Sequence, residues 1–249
     1  MGMVLSAMPV GEYDRRLVIL TKERGRISAF AKGARRPNSM LLGCSQPFAF
    51  GMFTLYQGRD SYSVNSAEIE NYFEEIRDDL EKVSYASYFC EFATYLTREN
   101  VDGTDILKLL YQSFRALIKE NISNELIRAV FEIKILCLNG EAPQVFECVR
   151  CKRKESLTLF HSIKGGLLCK WCGREISGGF EIKDNLIYTL QYIVTSDIQR
   201  LYTFRVSEEL LLDLKKLAKD YRRIYVDMEF KSLEILEMIS EPEKWQHSS

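Results

Sequence analysis

Two pairs of cysteines constrain the fold of this chain more than any other feature. Cys148 and Cys151 form a CVRC motif, Cys169 and Cys172 form a CKWC motif, and 17 residues separate the two pairs. Two residues between cysteines allow one tight turn to present both thiolates to a metal ion, and two such turns complete a tetrahedral shell. The pattern predicts one structural Zn²⁺ per chain, with a small hairpin between the pairs. Redox-active pairs, an iron–sulfur cluster or an unused remnant are the alternatives that the spacing leaves open.

The remaining cysteines and the histidines argue against a catalytic centre. Cys44, Cys90 and Cys137 lie among apolar residues and are predicted to be core thiols. Four thiolates leave no open position on the metal, so the predicted zinc is not catalytic. The chain has two histidines, of which His161 is predicted to lie on the surface of the hairpin, and it has no phosphate-loop or dinucleotide-binding motif. We therefore expect no enzymatic activity and no small-molecule substrate.

The order of sequence patterns predicts an α+β protein. Short β-rich runs separated by turn residues at intervals of about 10 residues are typical of a small barrel or sandwich, and they occupy 15–21, 26–33, 48–56 and 61–69. Helical patterns follow at 84–99, 104–120, 124–140, 184–196 and 207–230, and the third of these is apolar nearly all round. We expect a barrel domain over 1–80 and a helical domain over 81–249 that contains the cysteine pairs at about 146–176. The last residues, EPEKWQHSS, are predicted to form a frayed tail.

Positive charge is concentrated in one segment of a chain that is otherwise acidic. The formal net charge is −1, but residues 15–36 contain eight Lys or Arg and a single acid, Glu23. Local fields rather than net charge attract a polyanion to a surface. This segment is therefore the candidate for a contact with nucleic acid.

Within this segment, alternation on the strand RISAFAK predicts an outer face that carries Arg26, Phe30 and Lys32. An aromatic ring flanked by cations binds single-stranded nucleic acid by stacking and by phosphate attraction. Small barrels use such a face for oligonucleotides. The alternative is a solvated cationic face on which a loop covers Phe30.

Several segments of the chain resemble the bacterial RecO family of recombination mediators. The similarity covers roughly residues 3 to 233 and is carried by VGEYDRRLVILTKERGRISAFAKGARRPNS, QPFAFGMFTLYQGR, DLEKVSYASYFCE, FEIKILCLNG and both cysteine pairs. The resemblance implies an N-terminal OB-fold followed by a helical domain with an inserted zinc-binding module. It also implies binding to single- and double-stranded DNA, strand annealing, and help in loading the recombinase RecA onto strands coated with single-stranded DNA-binding protein.

The resemblance further implies which residues contact DNA. By position, the AKGARR motif makes Lys32, Arg35 and Arg36 the DNA contacts, with Arg24 and Arg26 beside them.

Two protein partners are also implied, namely RecR and the acidic, apolar-ended C-terminal tail of single-stranded DNA-binding protein. A site for that tail needs a cation beside an apolar groove. Arg128 and Lys134 on the helix at 124–140 are predicted to supply it.

The function expected from these observations is that of a non-enzymatic DNA-binding mediator. No apolar run approaches the roughly 18 residues that span a bilayer, so we expect a cytoplasmic protein with no membrane contact. The resemblance implies that it is associated with the nucleoid. Three alternatives stay open: an RNA-binding accessory protein with a structural zinc module, a nuclease with a structural zinc, and an adaptor whose basic patch meets an acidic protein.

Overall fold

A closed β-barrel forms the N-terminal part of the protein, whose structure, a computed structural model, describes residues 1–59, 61–119 and 121–240. Its five strands are β1 (Gly2–Val10), β2 (Asp14–Thr21), β3 (Gly25–Ala31), β4 (Phe50–Gln57) and β5 (Tyr62–Asn71). Their order around the barrel is β1-β2-β3-β5-β4, with β3 and β5 parallel and the other pairs antiparallel. The predicted OB-type barrel is confirmed. The predicted tail EPEKWQHSS lies outside the described residues.

The barrel interior is filled by the side chains that alternation assigns to it. On β3 the residues Ile27, Ala29 and Ala31 are buried, whereas Arg26, Ser28 and Phe30 are partly exposed. This confirms the predicted two faces of the strand. The buried side chains form one core cluster with Val4, Leu17, Ile19, Ala34, Ala49, Tyr62 and Val64.

The turn between β2 and β3 depends on Gly25. Its φ is +63°, in the left-handed region that glycine tolerates. A Cβ at this position would lie 2.2 Å from the carbonyl oxygen of Arg98 and 2.3 Å from that of Val101. The segment at 98–101 is held against this turn by two backbone hydrogen bonds. They run from Arg26 N to Arg98 O (3.1 Å) and from Asn100 N to Arg24 O (2.9 Å).

Helices account for most of the rest of the described chain. They are α1 (Leu41–Cys44), α2 (Glu74–Arg77), α3 (Leu80–Leu96), α4 (Thr104–Lys119), α5 (Asn124–Leu138), α6 (Lys170–Gly173), α7 (Asp184–Thr195), α8 (Glu208–Tyr225) and α9 (Lys231–Ser240). A three-stranded sheet contains β6 (Leu157–His161), β7 (Gly166–Cys169) and β8 (Phe180–Glu181), and a 3-10 helix spans Ile198–Arg200. Within the described part of the chain, no helix has the length and apolar character needed to cross a membrane.

The chain divides into two compact units that do not coincide with the predicted ranges 1–80 and 81–249. The first contains Met1–Ile118 and the chain from Glu229 onward, and the second contains Lys119–Met228. The difference arises because α3, α4 and α9 belong to the same unit as the barrel. A domain boundary at residue 80 stays a prediction.

The C-terminal helix α9 was not predicted from the sequence. The helical pattern at 207–230 breaks where Val226 becomes extended, and Phe230 then packs against Phe92 and Tyr88 of α3, with ring centroids 5.0 and 5.6 Å apart. The Glu91 carboxylate accepts a hydrogen bond from Ser232 N at 3.0 Å. These contacts are long-range, so periodicity along the chain does not reveal them.

The second unit is organised around α5. Ser123 caps the helix by accepting a hydrogen bond on its hydroxyl from Leu126 N at 3.3 Å. Nearly every side chain of α5 from Leu126 to Leu136 is buried, and the helix packs against α7 and α8. This burial accords with the sequence pattern at 124–140, because a helix that is apolar nearly all round is buried.

The turn at Gly25 generates a test of how firmly the hairpin is docked. Gly25→Ala adds both left-handed strain and a collision with two carbonyl oxygens, so we expect it to lower the free energy of unfolding by more than about 2 kcal/mol. Gly11→Ala is the matched control, because Gly11 also has positive φ (+56°) but nothing lies within 4 Å of its Cβ position. We expect the control to cost about 1 kcal/mol. If denaturant unfolding shows that both variants lose the same free energy of unfolding, the contact of Gly25 with the two carbonyl oxygens does not contribute to stability.

Candidate nucleic-acid interface and metal centre

The outer face of the β2–β3 hairpin presents Phe30 among cations. Phe30 pairs across the ladder with Arg16 of β2, and on its other side with Ser63 of β5. Arg16 is exposed, and its Nε donates a hydrogen bond to the hydroxyl of Ser28 at 3.0 Å. Lys32, just beyond the strand, is exposed. Arg16 was not among the sequence candidates, although alternation on RRLVILT opposite RISAFAK would have placed it on this face.

The loop after β3 is held against the turn between β1 and β2. Arg35 N donates to the carbonyl oxygen of Tyr13 at 2.8 Å, and the Arg36 guanidinium lies 5.1 Å from the centroid of the Tyr13 ring. Gly33, with φ +66°, donates its N–H to the Asp14 carboxylate at 2.7 Å. The cations of AKGARR therefore lie on an ordered loop.

Five of the six predicted DNA-contact residues fall into two groups, one at each end of β3. Arg24 is exposed in the turn before β3, and Arg26 is half-buried at the beginning of the strand. Lys32, Arg35 and Arg36 lie beyond the other end of β3, on the loop. A strand of seven residues separates the groups by about 20 Å. The outer face of β3, with Phe30, lies between them.

The basic side chains of this surface are not paired with the carboxylates that the structure describes. In the part of the chain that the structure describes, none of its basic side chains is in an ion pair within 4.0 Å. This holds for Arg16, Arg24, Arg26, Lys32, Arg35 and Arg36. Their charge is therefore available to an external anion.

The two cysteine pairs meet as predicted, at one end of the small sheet. The β6–β7 hairpin places Cys169 opposite Leu157, and the turn of Cys148 and Cys151 is joined to the hairpin by a hydrogen bond from Val149 N to Leu167 O at 2.9 Å. The sulfur atoms of Cys148, Cys151, Cys169 and Cys172 lie within 4.8 Å of one another. Such a cluster can hold one metal ion in a shell of four sulfur ligands.

The backbone around the cluster favours negative charge on sulfur. Burial opposes ionisation of Cys148, but backbone amides, including those of Cys151 and Cys169, lower the pKa of its thiol to about 6. Burial also opposes ionisation of Cys169, whose pKa is nevertheless lowered by the amides that follow it. Burial and hydrogen bonds to the neighbouring thiols raise the pKa of Cys172 to about 12. Backbone amides that favour negative charge on sulfur suit a site in which a metal cation replaces thiol protons.

The three cysteines outside the cluster and His161 lie in the protein interior or partly within it. Burial raises the pKa of Cys44, Cys90 and Cys137, so these thiols stay protonated at neutral pH. The prediction that His161 lies on the surface was wrong, because its side chain is buried. Its Nδ1 accepts a hydrogen bond from Lys164 N, and its Nε2 lies 3.3 Å from the carbonyl oxygen of Ser177.

The two residues predicted to receive a protein tail are held by hydrogen bonds within the second unit. Lys134 is buried, and its ammonium donates to the carbonyl oxygens of Ile193, Val194 and Ser196 at 3.1, 3.0 and 2.8 Å. These carbonyls end α7, where a positive charge is favourable. Arg128 is half-buried, and its Nε donates to the carboxylate of Glu132 at 2.9 Å.

Comparison with known families covers nearly the whole chain. The family model described as "Recombination protein O N terminal" matches residues 1–73, and the model described as "Recombination protein O C terminal" matches residues 77–234. The chain belongs to the RecO family. This confirms the family that the sequence segments resemble.

Individual members of the RecO family are similar to this chain over nearly its whole length. A protein of Alkaliphilus metalliredigens is 35% identical over 96% of this chain and 98% of its own length. Proteins of Acetivibrio thermocellus and Clostridium perfringens are 34% and 29% identical, each over 96% of this chain and at least 95% of their own. All three are named DNA repair protein RecO.

The position of Lys134 generates a stability prediction. Lys134→Met keeps the apolar stem but leaves three carbonyl oxygens at the end of α7 without their donor, so we expect a loss of about 2 kcal/mol or more in the free energy of unfolding. Lys183→Met is the control. It breaks an ion pair with Glu209 in which both side chains are exposed to solvent, and such pairs add little stability. We expect the control to unfold like the wild type. If the two variants unfold alike in denaturant, Lys134 does not stabilise the helix end.

Proposed function

We propose that this protein is a non-enzymatic DNA-binding mediator of recombinational repair. In this proposal it binds single- and double-stranded DNA, anneals complementary strands and helps to load RecA onto strands coated with single-stranded DNA-binding protein. One observation carries it: the exposed cations of the barrel hairpin, with Phe30 between them, form no ion pair with a described carboxylate. The names of its relatives in the RecO family support the role in DNA repair.

Annealing by such a surface requires no covalent chemistry. Two complementary strands repel each other, and lysine and arginine side chains reduce that repulsion by displacing the counterions of the phosphates. Contacts of this kind are individually weak, so the strands can exchange and find their register. Phe30 adds a surface on which an unpaired base can stack, which favours single strands over duplex before annealing.

We propose RecR and the C-terminal tail of single-stranded DNA-binding protein as partners. Membership of the RecO family is the support for both. Of the two residues predicted to receive the tail, Arg128 is the less buried, whereas Lys134 would have to give up its hydrogen bonds to α7.

We propose that the four-cysteine cluster binds one structural Zn²⁺. Cys148, Cys151, Cys169 and Cys172 would hold it, and four sulfur ligands without carboxylate or imidazole favour zinc. The ion would join the end of β7 and the short helix α6 to the turn of Cys148 and Cys151 that precedes the β6–β7 hairpin. A filled shell leaves no position for a substrate, so the proposed role of the ion is in folding.

The basic hairpin generates the principal test of this function. Lys32→Glu combined with Arg36→Glu removes two exposed cations from the loop and adds two anions. We expect affinity for single-stranded DNA at low salt to fall roughly tenfold or more, and annealing of strands coated with single-stranded DNA-binding protein to slow in parallel. Fluorescence anisotropy of a labelled oligonucleotide measures the affinity, and a fluorescence annealing assay measures the rate of annealing.

The control is Lys108→Glu combined with Arg115→Glu, which makes the same change in net charge at exposed positions of α4. Unchanged DNA affinity in the folded Lys32/Arg36 variant would remove the assignment of this surface. Competition by matched RNA equal to that by DNA would favour the RNA-binding alternative, since stacking and phosphate contacts tolerate both.

The metal proposal is tested by the metal content of purified protein. We expect one Zn²⁺ per wild-type chain and a large loss of metal in Cys148→Ser, together with a lower thermal unfolding temperature. Cys137→Ser is the control, because Cys137 lies outside the cluster, and it should retain its metal. Wild-type protein that contains no zinc and unfolds at the same temperature with and without a chelator would contradict the proposal.

A further inference from the structure

The tryptophan of the second cysteine pair is exposed and lies between cations. Trp171 keeps 43% of its surface accessible. The Arg153 guanidinium lies 4.0 Å from the centroid of its ring, and the Lys170 ammonium lies 4.6 Å from it. An indole of this size is normally buried, because covering its surface stabilises the fold. Its exposed surface is therefore available to an external partner.

The cysteine cluster holds this tryptophan in position. Trp171 belongs to α6, between Cys169 and Cys172, and these three residues line one shallow surface depression together with Cys151, Arg153 and the acidic Glu155. The ring is thus anchored on both sides in the chain by members of the cluster. A platform held in this way loses little entropy when a ligand stacks on it.

The charges around Trp171 favour an anionic partner. Residues 146–176 contain seven Lys or Arg and three acids. Arg150 and Lys152 pair with Glu175 and Glu147. Among the described residues, the ion pairs do not include Arg153, Lys154, Lys170 or Arg174.

The arrangement of ring and cations fits a nucleotide better than an acidic side chain. Two like charges close to one ring repel each other, and the ring quadrupole compensates only part of this cost. A base that stacks on the indole would displace one of the cations, and the displaced side chain would be within reach of the phosphate of the same nucleotide. A carboxylate would satisfy the cations but would leave the indole uncovered.

We propose that Trp171, Arg153 and Lys170 form a second binding site for single-stranded DNA. It lies on the segment at 146–176 that contains the two cysteine pairs, the cysteine module. One unpaired base stacks on Trp171, and the two cations contact the adjoining phosphates. The proposal rests on the proposed function in that it assumes DNA as the ligand. It adds a contact that the barrel hairpin does not provide.

Tryptophan fluorescence tests this directly. The chain has two tryptophans, and the other, Trp245, lies outside the described residues, so Trp245→Phe leaves Trp171 as the single reporter in the full-length protein. Titration with oligothymidylate should quench the emission of Trp171 over the same concentration range in which the anisotropy of a labelled oligonucleotide reports binding. A blunt duplex should quench it much less, because its bases are already stacked on one another. Equal quenching by the duplex, or none by the single strand, overturns the proposal.

Substitution of the ring separates stacking from charge. Trp171→Ala should weaken binding of the single strand by about fivefold to 100-fold, and Trp171→Phe should retain most of the affinity because it keeps an aromatic face. Tyr188→Ala is the matched control, since Tyr188 is 71% exposed on α7 of the same unit. Metal content and thermal unfolding show whether Trp171→Ala stays folded, and the fluorescence titration needs no change at Trp171.

The outcomes also distinguish the two proposals. If DNA binds and depends on Lys32 and Arg36, while Trp171 emission and the affinity of Trp171→Ala stay unchanged, the second site is wrong and the proposed function stands. If the wild type binds no DNA, both are overturned. Binding of a poly-glutamate peptide that quenches Trp171 as strongly as DNA does would show an acidic protein partner and overturn the DNA site.

Discussion

The antiparallel register between β2 and β3 is the constraint on which the proposed DNA-facing surface depends. The ladder runs from Arg15 opposite Ala31 to Thr21 opposite Gly25. Side chains alternate between the two faces, so a shift of one residue would turn Phe30 and Lys32 into the barrel and move Ala29 and Ala31 to solvent. A lysine ammonium in that interior would have no polar partner, which costs several kcal/mol. The contact of Gly25 with the segment at 98–101 ends the ladder at a defined residue and so supports the register.

Local electrostatics, rather than net charge, explains how a slightly acidic chain can attract DNA. The segment at 15–36 contributes +7 to a total of −1. Screening at physiological ionic strength limits the reach of a surface charge to about 8 Å, so distant carboxylates do little to weaken the attraction of the hairpin for phosphate. Arg16 strengthens this surface because it lies opposite Phe30.

The cysteine module illustrates a different way to stabilise a small element of structure. Its sheet has strands of five, four and two residues, and Cys148, Leu168 and Cys169 form a small buried cluster beside the buried Phe160 and Leu167 of the same hairpin. Under the zinc proposal, the ion would add cohesion at the point where the two cysteine pairs meet, as metal ions do in small modules of this kind. The same ligands hold Trp171 at the surface. A structural site can in this way determine where an exposed aromatic ring is presented.

Periodicity and spacing revealed the features that depend on short stretches of chain. The β3 faces, the buried helix α5 and the meeting of the two cysteine pairs are local consequences of alternation, helical repeat and ligand geometry, and each is visible in the sequence. Long-range contacts decided the rest. Helix α9 packs on α3 through Phe230, and Lys134 is buried against the carbonyl oxygens that end α7. His161 is buried beside the backbone of Lys164 and Ser177. In each case the fold supplies partners that periodicity does not reveal. Arg16 and Trp171 depend on both local pattern and long-range contact. Alternation along β2 and the position of Trp171 within the CKWC motif are visible in the sequence. Cross-strand pairing and the meeting of the cysteine pairs establish what surrounds the two side chains.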